Sequence, residues 1–181
     1  MKTLLLTIDF MNDIVHPDFN GAAADMVSQC HTLSHANEAI AQARARGDII
    51  AHCRVGFASD YSDCPESSPL FTGAKAHGKL QLGTPSCDWH PDLDVQDTDL
   101  QFTKQRVNPF CTAALAQLLT DENIGHVKLC GVSTPMAIAA AAHWLHDHDM
   151  PFEIIENACA ARNHAQHQAT VEALGALNTR L

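Results

Sequence analysis

No basic run crosses this chain. Eleven lysines and arginines face 21 acids, giving a formal net charge of -10, and no basic stripe offers a surface for nucleic acid. No apolar run approaches the roughly 18 residues that a membrane span needs. G-x-G-x-x-G and phosphate-loop patterns are missing as well, so nothing indicates a nucleotide site. The seven cysteines, at 30, 53, 64, 87, 111, 130 and 159, have no paired metal-ligand spacing and are odd in number. Met1-Lys2-Thr3 leads straight into Leu4–Ile8, too short for the apolar region of a signal peptide, and no small-residue cleavage site follows. Reduced thiols in a cytoplasmic protein are the expectation, with no metal, no cofactor and no membrane or nucleic-acid partner.

What remains describes a globular hydrophobic core. The 181 residues are 46% hydrophobic and 18% charged, which suits one domain over 1–181 and excludes a disordered chain. Twelve histidines make the net charge sensitive to mild acid.

Strand and helix patterns alternate along the chain. Leu4–Ile8 reads as a buried strand ending at Asp9, and Ala24–Arg46 as one long helix closed by Gly47. Asp48–Cys53 is a second strand. From Arg54 to Asp99 the composition predicts mostly loop, and the stretch Tyr61–Trp89 is the candidate lid and substrate wall. Leu100–Thr103 is a weak strand ending at Lys104. Thr112–Leu119 reads as a helix, Val127–Cys130 as a strand, Met136–Asp147 as a helix, Phe152–Ile155 as a strand and His164–Leu177 as a helix. Such alternation predicts a mainly parallel sheet covered on both faces, a three-layer α/β/α sandwich. Ligands then bind outside the carboxyl ends of the strands, which gathers Asp9, Arg54, Lys104 and Gly131–Ala137 at one edge.

The stretch His126–His148, HVKLCGVSTPMAIAAAAHWLHDH, is a strand, a tight turn and the start of a helix. A turn of this kind can aim backbone N–H groups at an oxyanion, or Gly131 and Pro135 can simply punctuate an ordinary connection. Asp9 emerging from a buried strand suits a general acid or base, and Lys104 suits a partner that holds it ionised. The residues alone leave duller readings open for both, a turn cap and a solvated surface lysine. His143, His146 and His148 sit at the end of a helix pattern, where they complement its dipole more simply than they would bind metal.

Four motifs in order resemble the isochorismatase-like (cysteine hydrolase) superfamily, which includes nicotinamidases and N-carbamoylsarcosine amidase. Leu6-Thr7-Ile8-Asp9-Phe10-Met11-Asn12-Asp13 is similar to the opening D-x-Q-N-D motif, with Met11 where Gln is usual. Lys104-Gln105-Arg106-Val107-Asn108-Pro109-Phe110 matches K-x-R-x-x-x-F. Cys130-Gly131-Val132-Ser133-Thr134-Pro135-Met136 matches G-V-x-T-x-x. Ile155-Glu156-Asn157-Ala158-Cys159 resembles V-x-D-A-x, with Asn157 in place of Asp. The resemblance implies Asp9 as general base, Lys104 as its partner, and a cis peptide between Val132 and Ser133 that turns the Ser133 and Ala137 amides toward an oxyanion. It also implies Ile14 as a pocket wall, a small-molecule substrate, and a homo-oligomer, dimer or tetramer.

One departure matters for the chemistry. The family's nucleophilic cysteine falls at the position of Ala137, and a methyl group cannot attack a carbonyl. Cys111, Cys130 and Cys159 have no nucleophile motif behind them. The expectation is therefore a hydrolase of C–N bonds in amides or ureides whose nucleophile is replaced by Ala137. The alternatives are a vinyl-ether hydrolase that uses Asp9 without cysteine, as true isochorismatases do, or a non-catalytic binding homologue. Arg54, standing where isochorismate binding is associated with glutamine, is a candidate substrate ligand. The segment His52-Cys53-Arg54-Val55-Gly56-Phe57 departs from the nicotinamidase metal pattern.

Overall fold

The apolar run Leu4-Leu5-Leu6 has no exposed surface at all, as a strand covered on both faces requires. In the computed structural model, which describes residues 1–177, this run lies in the middle strand of the sheet; residues 178–181, the tail of the expected 1–181 domain, lie outside the described residues. The strands are β1 (Lys2–Ile8), β2 (Ile49–Val55), β3 (Leu100–Lys104), β4 (Ile124–Val132) and β5 (Phe152–Ala160). They pair in the order β3-β2-β1-β4-β5, all parallel.

The helices are α1 (Asn12–Val15), α2 (Ala24–Gln29), α3 (Thr32–Arg46), α4 (Pro69–Ala76), α5 (Ala113–Asp121), α6 (Ala139–Asp147) and α7 (His164–Leu174). Right-handed crossovers put α3 on one face of the sheet and α5 and α6 on the other, completing three α/β/α layers. Among the described residues no helix is long and apolar enough to cross a membrane.

Several boundaries differ from the sequence reading. The expected helix Ala24–Arg46 is two helices, broken at Cys30–His31, where His31 takes a left-handed backbone with φ 52°. No glycine or proline marks that corner, and histidine enters the left-handed region more readily than most residues. The predicted loop after β2 contains α4, whose N-terminus follows ordinary rules: the Ser68 hydroxyl accepts from the Phe71 amide, and Pro69 occupies the first turn. Phe71 anchors this helix in a second apolar cluster with Met11, Val55, Phe57 and Leu80. The helix expected to reach Leu177 stops at Leu174.

Sheet order fixes where the ligand crevice opens. Chain connections leave β1 toward β2 on one side, while β4 flanks it on the other, so the carboxyl ends of β1 and β4 form a topological switch point. Gly131 makes the two strands approach closely there. Its φ is 135°, and a Cβ at this position would lie 2.1 Å from the Ile8 carbonyl oxygen. Gly131→Ala is expected to destabilise the fold by about 3 kcal/mol or more, from backbone strain plus overpacking. That corresponds to roughly a 6–12 °C fall in thermal midpoint. Gly47→Ala is the control, since Gly47 has φ 72° but open space around it, and about 1 kcal/mol is expected there. Equal midpoints for the two variants would show that the Gly131 approach is not tight.

Candidate active site

Asp9 is the first residue beyond β1. Its amide still continues the ladder, donating to the Cys53 carbonyl at 2.8 Å, but its backbone has swung to φ 58°. The carboxylate thereby turns back over the strand ends. Oδ1 accepts from the Val55 amide at 2.7 Å and Oδ2 from Lys104 Nζ at 2.7 Å. Val55 and Lys104 are register partners at the ends of β2 and β3, so two neighbouring strands deliver the two donors. Asp9 and Lys104 are 4% and 1% exposed, which makes this a buried ion pair with both carboxylate oxygens occupied. Burial has the largest influence on the Asp9 carboxyl and pushes it above the usual carboxylate range. The Lys104 ammonium and the Val55 amide pull the other way without overcoming it.

Opposite this pair stands the β4–α6 connection. The peptide between Val132 and Ser133 is cis, and Thr134–Ile138 form a widened turn of π type before α6 begins. The Ser133 carbonyl accepts from the amides of Met136 and Ile138, at 3.0 and 3.3 Å, and skips Ala137 between them. Thr134 pins the turn from below: its hydroxyl donates to the Ala160 carbonyl at 3.0 Å and lies 2.8 Å from His167 Nδ1. One hydroxyl has one proton, so His167 is the donor in the second contact. Burial holds His167 below its ordinary range, favouring that neutral ring.

Asp9, Lys104, Ala137, Val132, Ser133 and Ile14 all line one cavity of about 760 Å³. Its walls are mainly apolar, with Val55, Phe71, Leu80 and Val107 prominent. The segment after β2 thus supplies wall residues from α4 and the turn behind it. Asp13, the last residue of the D-x-Q-N-D-like segment, organises that turn: Oδ2 accepts from the Leu80 amide at 2.7 Å and the Ser86 hydroxyl at 2.9 Å.

Arg54 is a correction. It does not line the cavity; Nη1 donates to the Cys87 carbonyl at 3.1 Å, and the guanidinium lies 5.3 Å from the centre of the Trp89 ring. Side chains alternate along a strand. His52 and Arg54 share the face covered by Trp89, with the His52 ring 5.8 Å from it, while Val55 turns toward Asp9. His52 is committed to Thr7 Oγ1 at 2.7 Å and Asp99 at 3.2 Å.

The three cysteines weighed as stand-in nucleophiles do not line the cavity. Cys130 and Cys159 are buried, and burial pushes both thiols up, Cys159 to about 12. Thiols so shifted form little thiolate near neutrality. Cys111 is exposed. His143, His146 and His148 stay on the surface of the α6 end, with the His148 ring stacked 3.7 Å from Trp144. Among the described residues no group of three or more His, Cys, Asp or Glu is arranged to hold a metal ion.

The model of the isochorismatase domain matches residues 3–180. The chain belongs to the isochorismatase family. A family relative, the uncharacterized isochorismatase family protein YecD of Escherichia coli O157:H7, is 26% identical over 171 residues, covering 93% of this chain and 85% of that protein. Among solved structures, an isochorismatase family protein from Desulfovibrio vulgaris subsp. vulgaris str. Hildenborough superposes with a TM-score of 0.86 at 22% identity, covering 98% of this chain and 92% of the other. Nicotinamidase PncA from Bacillus subtilis gives 0.83 at 17% identity, covering 100% and 99%. At such identities the structural likenesses speak for the shared isochorismatase-family hydrolase fold alone.

Proposed function

We propose that this chain is an isochorismatase-family hydrolase of C–N bonds in small amides or ureides, disabled at one atom. The observation that carries the reading is the buried Asp9–Lys104 pair facing a cavity that Ala137 also lines. In this reading position 137 holds the missing nucleophile. With a thiol there, Asp9 would take its proton, and the sulfur would attack the substrate carbonyl carbon. The amides of Ser133 and Ala137 would receive the oxyanion. Asp9 would then pass the proton to the departing nitrogen, and water would hydrolyse the thioester. Lys104 positions Asp9 rather than touching substrate. The name of the Bacillus subtilis nicotinamidase supports an amide as the substrate type.

One observation favours a second reading. Burial raises the Asp9 carboxyl, which suits an acid that protonates a vinyl ether so that water can finish the hydrolysis, with no nucleophile at 137. A paired assay separates the two. The chain as it stands and Ala137→Cys are each offered small amides, ureides and isochorismate. Ammonium release by the cysteine form alone supports the C–N hydrolase. Isochorismate turnover by the alanine form supports the Asp9-only route. No turnover by either form leaves a binding homologue.

A further inference from the structure

We infer that Arg162 recognises a carboxylate on the substrate, so that the cavity takes a small monoanion with an apolar body. This rests on the reading of the cavity as the substrate site. Arg162 lies two residues beyond the end of β5, at the same sheet edge as Asp9 and Lys104, in the short link before α7. It is exposed, and it lines the cavity mouth together with Gln166 and Thr170 from successive turns of α7.

The charges around the cavity do not cancel. Its ionisable lining residues are Asp9 and Asp13 against Lys79, Lys104 and Arg162, two acids and three bases. Lys104 is matched to Asp9 at 2.7 Å. Lys79 lies 3.9 Å from Asp13 and donates to the Phe19 carbonyl at 3.0 Å. The remaining positive charge belongs to Arg162, in a chain whose formal net charge is -10. Other arginines are engaged: Arg44 with Asp94 and Asp99, Arg46 with Asp48, Arg54 with the Cys87 carbonyl, and Arg106 with the Gln105 carbonyl. Among the described residues Arg162 alone of the arginines has no acceptor. A guanidinium presents a planar fork that fits a carboxylate through two parallel hydrogen bonds. Arg162 has that fork free at the mouth, and beyond it the walls are apolar.

The probes are two isosteric pairs, 4-carbamoylbenzoate with benzene-1,4-dicarboxamide and glutaramate with glutaramide. Each member carries a cleavable amide, and only one member of each pair is an anion. Calorimetric titration of the chain as it stands measures binding, and ammonium release by Ala137→Cys measures turnover. The anion of at least one pair is expected to bind about tenfold more tightly than its neutral partner, an advantage that added salt weakens. Arg162→Gln should bring that ratio to within about twofold, and Arg162→Lys should restore part of it. In turnover the loss should fall on KM rather than kcat, as expected for a group that binds without reacting. Circular dichroism checks that the variants keep their fold.

A ratio that Arg162→Gln leaves intact overturns the inference, as does binding of neither member of both pairs. Cleavage of the neutral amides by Ala137→Cys with no preference for the anions overturns it while leaving the hydrolase reading in place. Arg162-dependent binding of an anion that Ala137→Cys never cleaves keeps the carboxylate site and removes the hydrolase reading.

Discussion

Replacing Ala137 by cysteine is expected to raise ammonium release from small amides. The gain should be on the order of 10⁴- to 10⁶-fold, the scale on which removing a nucleophile disables a hydrolase built on one. Ala137 is buried to 3% exposure yet lines the cavity, so the added sulfur extends into open space and costs little in packing. Within that background Asp9→Asn should remove about 10²- to 10⁴-fold, the usual contribution of a positioned general base.

The acid limb of kcat/KM carries a further signature. Burial raises the Asp9 carboxyl, so the ionised base is lost at a pH above the ordinary carboxylate range as the medium is acidified. Activity should therefore fall on the acid side earlier than for an exposed aspartate. An Ala137→Cys protein with no activity on any amide or ureide, or one indifferent to Asp9→Asn, would sink this reading of the site.

Lys104→Met is expected to cost the fold about 3–5 kcal/mol near neutral pH, because it leaves a buried carboxylate without its counter-charge. Methionine fills much of the lysine stem, so the loss comes from charge more than volume. The pH dependence gives the test its sign. Without the ammonium, which lowers the Asp9 pKa, the folded-state carboxyl titrates higher still above its unfolded value. A raised carboxyl stabilises the fold while protonated, and that contribution disappears as pH rises through the folded-state pKa. The deficit relative to the parent should therefore shrink in acid and grow toward neutrality. Denaturant titrations at several pH values measure it, and a deficit independent of pH would show that lost packing, not a stranded charge, is the cause.

The parts of the site that were legible in the sequence lie where a strand pattern ends cleanly. Leu4–Ile8 is apolar except for Thr7, so its end at the charged Asp9 is unambiguous. The weak strand before Lys104 still stopped within a residue of its observed end. Arg54 was misjudged because its position at a strand end was legible and its face was not. A one-residue difference separates the Val55 side from the Trp89 side, and only the register with β1 and β3 decides it.

Arg162 was missed for a related reason. The fifth strand was expected to end at Ile155, because Glu156 and Asn157 break the apolar run. In the fold it continues to Ala160 through a register shift opposite Leu129–Gly131, with Glu156 and Asn157 left exposed at the edge. Had that end been placed correctly, the rule that ligands gather beyond carboxyl ends would have pointed to Arg162. The Ser68-Pro69 pair was a readable helix start that composition obscured. The break at His31 and the role of Lys79 had no local signal, since both depend on what packs against them.

The middle position of β1 has a consequence for synthesis. Its neighbour β4 follows only after 116 further residues, counted from Ile8 to Ile124. At about 5–20 residues added per second, roughly 6–23 s pass before that neighbour leaves the ribosome. Throughout that interval Leu4-Leu5-Leu6, which has no exposed surface in the finished protein, can be covered on one edge at most. The strand order therefore leaves one edge of a fully buried apolar strand open for the whole of that interval of synthesis.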